Sequence, residues 1–239
     1  MAGVPSPLVF LFSPSRHLFL YFLNFTFKEF PMFRIAVLVS GGGTNLQNLL
    51  DGIADGSIPQ TEIVEVICNR ADAFALKRAE QAGVPAVAMV PKTFENREAF
   101  NDALLAELQR LDPDLIVMAG WLVVLPERII NAFENRIINV HPSLIPSFCG
   151  AGFYGLRVHE AALEYGVKLT GATVHFVTYE TDAGPILFQK AVEVRQDDTP
   201  EVLQRRVMEE AEKVLLPKAV RMLALGQVKI EGRKVTVTE

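Results

Sequence analysis

The chain has 239 residues but only two cysteines, Cys68 and Cys149, and neither belongs to a CxxC pair. That scarcity excludes a disulfide-stapled secreted scaffold, and the spacing excludes a cysteine zinc site; a reducing cytoplasm is the expected compartment. Cys68, inside an apolar run, reads as core, and Cys149, in a glycine-rich loop, as a bland or reactive thiol. Positive charge is also short, since 23 Lys and Arg stand scattered against 28 Asp and Glu, for a net charge of −5. Without a basic stripe, no nucleic-acid partner is expected. No apolar window is long enough to span a membrane, because Pro5, Pro7, Pro14, Asn24 and Lys28 interrupt the one candidate region. With half its residues hydrophobic and 21% charged, the chain has a soluble globular composition. Its length suits one large α/β domain.

Residues 1–33 do not resemble the rest. They hold eight of the 16 phenylalanines and lack a helical or strand period between Leu18 and Phe27. The early basic residue and small-residue cleavage site of a signal peptide are missing, since the first basic residue is Arg16. The segment is expected to be a disordered leader or a start-site artefact, with a single domain over residues 34–239 and the working protein starting near Met32.

From Arg34 onward apolar strands alternate with amphipathic helices. The pattern predicts strands at Ile35–Val39, Ile63–Cys68, Val84–Val90, Leu115–Ala119 and Ile137–Val140. Helices are predicted from Thr44, over Ala73–Ala82 and Asn96–Leu111, and across Leu125–Phe133. Further strands at Gly171–Val177 and Ile186–Val194 follow a helix at Val158–Tyr165. One long helix, Thr199–Leu225 with Pro217 inside it, precedes a hairpin turning at Glu231-Gly232-Arg233. The implied architecture is α/β, a doubly wound and mostly parallel sheet, Rossmann-like, with helices on both faces.

The first βα turn is Ser40-Gly41-Gly42-Gly43. A dinucleotide fingerprint would put its third glycine at Leu46, and a P-loop would continue Gly-Lys-Ser/Thr; both are absent. What remains is a helix N-terminus with the amides of Gly43, Thr44 and Asn45, suited to one phosphate monoester. Among the histidines, His17 lies in the leader, His159 is expected on an exposed helix start, and His175 as a satisfied core group. His141 ends a strand and precedes Pro142, at the edge where ligands bind open α/β sheets. No HxxxH, CxxC or GxSxG pattern accompanies it, so neither a metal nor a serine nucleophile is expected. An amide, an imidazole and a carboxylate, here Asn139, His141 and Asp182, are the groups that acyl transfer to an amine needs without either.

Together and in this order, SGGGTNLQNLL, NVHPSLIP and GATVHFVTYETDAGPI resemble the folate-dependent formyltransferases, and within them the glycinamide ribonucleotide formyltransferases of purine biosynthesis. The similarity covers about Met32 to Val237. It implies that the amine of glycinamide ribonucleotide attacks the formyl carbon of the co-substrate 10-formyltetrahydrofolate, with no metal. It also implies Asn139, His141 and Asp182 as catalytic residues, His141 acting as a protonated donor whose pKa Asp182 raises. Gly43, Thr44, Asn45, Glu209 and Glu212 would hold the nucleotide. Arg97, Leu122, Val123, Val124, Leu125, Asn139, Thr178, Tyr179, Glu180, Thr181 and Asp182 would surround the folate, with Thr173 and His175 in support. Val123 departs from the pattern, relatives often having Arg there, and so does the loop 147–155. Related activities are formyltetrahydrofolate hydrolysis and methionyl-tRNA formylation, which carry extra domains in their families; nucleotide binding without catalysis is the third alternative. A monomer or homodimer with small-molecule substrates is expected.

Overall fold

The computed structural model describes residues 31–238. The leader reading therefore lies outside the described residues except at its end, where Phe33 already opens the first strand and donates its N–H to Gln60 O at 2.7 Å.

Strands β1 (Phe33–Val39), β2 (Thr61–Cys68), β3 (Ala86–Ala88), β4 (Leu115–Met118) and β5 (Ile137–His141) run parallel. Their connections are α1 (Thr44–Ala54), α2 (Phe74–Gln81), α3 (Arg97–Leu111) and α4 (Glu127–Ala132). After α5 (Leu156–Tyr165), strands β6 (Leu169–Phe176) and β7 (Ile186–Glu193) extend the sheet antiparallel. Helix α6 (Pro200–Val207), a π-helical turn (Met208–Glu212) and α7 (Lys213–Ala224) then cover one face, and a hairpin of β8 (Val228–Glu231) and β9 (Lys234–Val237) ends the described chain. The seven-stranded order is β3-β2-β1-β4-β5-β6-β7. From β1 the chain first winds outward through β2 and then returns to β4 on the other side. A crevice is thereby left beyond the carboxyl ends of β1 and β4.

Core packing follows from strand alternation. Ile35, Val37 and Val39 face α1 and α7 in one apolar cluster, and Ala36 and Leu38 face α3 in the other. Both faces of β1 are thus covered, which is why its run is apolar throughout. At β5, Ile138 and Val140 enter the first cluster while Ile137, Asn139 and His141 point the other way. Along that face the side chains change from apolar to polar just where the sheet ends.

Three elements differ from the expected ones. Strand β3 is shorter because Pro85 offers only a carbonyl, which accepts from Val66 N at 2.9 Å. Helix α4 begins after Pro126, which disfavours helical geometry at Leu125. The long C-terminal helix is broken into α6, the π turn and α7. Pro217 has no N–H for the carbonyl of Lys213, and Asn48 Nδ2 fills that gap, donating to it at 2.5 Å.

Candidate active site

A cleft of about 440 Å³ opens at the carboxyl edge of the sheet. Three segments build its floor and one end. Gly43 begins α1 in a left-handed conformation, φ 72°, and a Cβ there would stand 2.8 Å from Ala75 Cβ, so α2 packs directly on the turn. Gly41 and Gly42 face open space. Behind the turn, Arg78 donates from Nε to Gly42 O and from Nη1 to Gln47 Oε1, both at 2.8 Å, while its guanidinium lies over the Phe74 ring. Asn45 Nδ2 donates to the buried Glu212 carboxylate at 2.7 Å. Burial pushes the Glu212 carboxyl up to about 7, against the pull of the Asn45 amide. Gln204, Met208 and Glu212, at every fourth position, all line the cleft. The wider π turn between them keeps Glu212 in line with the other two, where a regular helix would drift round.

At the centre, pairing places Asn139 opposite His175 and His141 opposite Thr173, four side chains on one face of β5 and β6. His175 Nδ1 lies 2.9 Å from the Phe176 carbonyl, and its Nε2 lies 3.2 Å from Asn139 Nδ2. His141 Nε2 donates to Phe148 O at 2.9 Å, and its Nδ1 stands 3.6 Å from Asp182 Oδ2. The other Asp182 oxygen stands 3.6 Å from His175 Nε2. Asp182 itself has φ 55° and accepts the Gly150 N–H at 2.8 Å. The following turn is tight, since a Cβ on Gly184 would meet Phe176 O at 1.8 Å. Burial would raise the Asp182 carboxyl, but His175, His141 and the Gly150 N–H together hold it below its ordinary value. For His141 the balance falls the other way: burial pushes the imidazole below its ordinary range, although Asp182 and the Phe148 carbonyl pull it up. Asp182 thus pulls the imidazole in the expected direction, but burial outweighs it, and the carboxylate stands ready to stabilise the cation.

The far end is apolar. Trp121, Leu122, Val123, Val124 and Leu125 line it with Val177, Thr178, Tyr179 and Thr181. Ser40 Oγ ties this loop to the glycine turn by accepting Leu122 N–H at 2.8 Å. Leu122, Val124 and Tyr179 are exposed large apolar groups at the rim.

Most of the expected residues meet here, and four stand outside the lining. Glu209 turns to the surface and pairs with Lys213 at 2.5 Å, because the π turn brings Glu212 inward instead. Arg97 stacks on Phe100 and donates to Val124 O at 2.8 Å, supporting the far-end loop from outside. Glu180 lies at the turn without lining the cleft, and Thr173 is buried behind it, donating to Ser143 O at 2.7 Å. Sequence reasoning missed Arg78, Gln204, Met208 and His159. Arg78 follows the second strand by a helix, a place that no motif marks. His159, expected to be exposed, is fully buried and lines the cleft.

The family model described as Formyl transferase matches residues 33–220, and the chain belongs to that family. It is 40% identical over 208 residues to the trifunctional purine biosynthetic protein adenosine-3 of Bos taurus, covering 86% of this chain and 20% of that protein. Phosphoribosylglycinamide formyltransferase of Haemophilus influenzae is 38% identical over 200 residues, covering 84% of this chain and 91% of its own length. Among solved structures, glycinamide ribonucleotide transformylase 1 from Symbiobacterium toebii superposes with a TM-score of 0.81 at 47% identity. That match covers 87% of this chain and 95% of that one. The chain thus spans about a fifth of the trifunctional relative's length and about nine-tenths of the Haemophilus influenzae protein's.

Proposed function

We propose that the protein transfers the formyl group of 10-formyltetrahydrofolate to the amine of glycinamide ribonucleotide, a step of purine biosynthesis. The observation that carries this reading is the layout of one cleft. A glycine turn at a helix N-terminus lies at one end, an apolar rim at the other, and Asn139, His141, His175 and Asp182 lie between them. Among the described residues no Lys or Arg lines the cleft, and its acidic lining residues are Asp182 and Glu212. A phosphate there is held by the amides of Gly43, Thr44 and Asn45 and by the α1 dipole, with Arg78 as the cation behind the turn. The apolar far end takes the flat pterin.

As the amine adds to the formyl carbon, negative charge grows on the formyl oxygen, and Asn139 Nδ2 is the donor placed to meet it. The attacking nitrogen must shed one proton. His141, unprotonated at rest, takes it, and the Asp182 carboxylate stabilises the imidazolium formed. When the carbon–nitrogen bond to the folate breaks, the same proton passes to the leaving nitrogen, and both substrates and protons balance. His175 fixes the Asn139 amide and shares Asp182.

The test is formation of tetrahydrofolate from 10-formyltetrahydrofolate by purified protein. It is expected only when glycinamide ribonucleotide is present. Turnover in water alone, or with methionyl-tRNA and not with the nucleotide, replaces this reading by another family activity, and no turnover with any acceptor overturns it.

A further inference from the structure

His159, on the first turn of α5, is fully buried, yet neither ring nitrogen has a hydrogen-bond partner among the described residues. The other polar groups of the cleft centre behave differently, since Asn139, His141 and His175 each have a protein partner. A buried imidazole with two unanswered nitrogens is costly, so its position needs a reason. Backbone geometry sets the start of the helix that carries it. Gly155, at φ 55° and ψ −131°, starts α5 in a conformation open to glycine, after a loop in which Gly150 and Gly152 also have positive φ. His159 lines the same cleft as His141.

The surroundings say which end of the cleft it serves. Helix α5 packs against α6, whose Gln204 lines the same cleft, followed by Met208 and Glu212. Glu212 is bonded to Asn45 of the anion-binding turn. This wall belongs to the nucleotide half, and the apolar residues Trp121–Leu125 and Tyr179 belong to the other.

We propose that His159 is a binding residue for the aminonucleotide, its neutral ring accepting an N–H of the attacking amine. The inference rests on the glycinamide ribonucleotide reading above and adds a residue to it. An amine whose N–H is held by an acceptor keeps its lone pair free to face the formyl carbon, which is the orientation that addition needs. The ring suits that task because burial, and then the His141 charge, push it down to about 4. It remains an acceptor at every pH at which the amine is unprotonated, and it does not compete with His141 for the proton.

The test uses the full chain and the variants His159→Leu and His159→Asn, with glycinamide ribonucleotide and tetrahydrofolate titrated separately by calorimetry. Leu is expected to weaken the nucleotide by about tenfold or more while leaving folate affinity unchanged, and Asn, which still accepts a hydrogen bond, to recover most of the loss. The thermal unfolding midpoint of the Leu variant should not fall, which separates lost binding from lost fold. A nucleotide with hydroxyl in place of the amine identifies the contacted group. That hydroxyl still donates, so a second analogue with hydrogen in place of the amine serves as the donor-free control; if it loses as much affinity as the natural substrate on going to Leu, the ring touches another group and the assignment to the amine is overturned. A Leu variant that binds glycinamide ribonucleotide as wild type does, or that loses both ligands equally, overturns the inference alone. Wild-type protein that binds no glycinamide ribonucleotide overturns the proposed function with it.

Discussion

Asp182 carries more contacts than any other acid at the cleft centre, with one oxygen toward His141, the other toward His175, and the Gly150 N–H besides. Asp182→Asn keeps the shape and an acceptor for Gly150 but removes the charge. Formyl transfer is expected to slow by about a hundredfold or more, the usual size of a lost electrostatic partner in proton transfer. The pH profile should move as well. His141 works from its neutral form, so activity falls as pH drops through its pKa, which lies below the ordinary 6.5. A neighbouring carboxylate holds that pKa up; without it the acid limb moves to lower pH, beneath a lower plateau. Steady-state kcat from pH 4.5 to 8.5 checks this, and an acid limb that moves upward refutes the role. Of these residues, Asn139, His141 and Asp182 were legible because strand end, proline and glycine leave marks in sequence. His159 was not. Its burial comes from the loop before α5 and from α6, forty residues on, and no local pattern encodes a long-range cover.

Elements place the turn proposed for the nucleotide. The turn before α1 is fixed from behind by α2, with Ala75 against Gly43 and Arg78 on the Gly42 carbonyl. Gly43→Ala puts a Cβ 2.8 Å from Ala75 Cβ at φ 72°, adding about 1–2 kcal/mol of left-handed strain to the clash. The nucleotide KM is expected to rise with little change in folate KM, measured with each substrate varied in turn; equal loss of both would assign the glycine to the fold alone. A second contact is structural. Asn48 answers the Lys213 carbonyl left open by Pro217, and Asn48→Ala is expected to cost about 1–3 kcal/mol in urea unfolding as that group loses its partner. The parallel strands were legible because βαβ units need continuous apolar runs and amphipathic helices. The break between α6 and α7 was not, because a π turn has no side-chain signature and Pro217 alone does not say where the helix yields.

Across the whole molecule, two buried groups at the nucleotide end set opposing dependences of stability on pH. Glu212 is raised from its ordinary 4.5 to about 7, and His159 is lowered from 6.5 to about 4. For Glu212 the folded state binds its proton more tightly, so stability falls as pH rises from 4.5 to about 7, by about 3 kcal/mol in all. For His159 the folded state binds its proton less tightly, so stability falls as pH drops from 6.5 to about 4, by about the same amount. Between 4.5 and 6.5 the two slopes cancel, and their joint contribution is flat although each penalty is large. Removing one group unmasks the other. Relative to wild type, Glu212→Gln is expected to gain stability progressively as pH rises from 4.5 to 7, and His159→Asn as pH falls from 6.5 to 4. Glu65, also raised to about 7, acts equally in all three proteins and drops out of the differences. Urea unfolding at pH 4, 5.5 and 7.5 measures both curves. Opposite trends support two buried ionisable groups kept neutral for a ligand. Parallel or flat differences show that one of them is already solvated in the free protein, and then the cleft is not the dry, preorganised wall on which the amine is held.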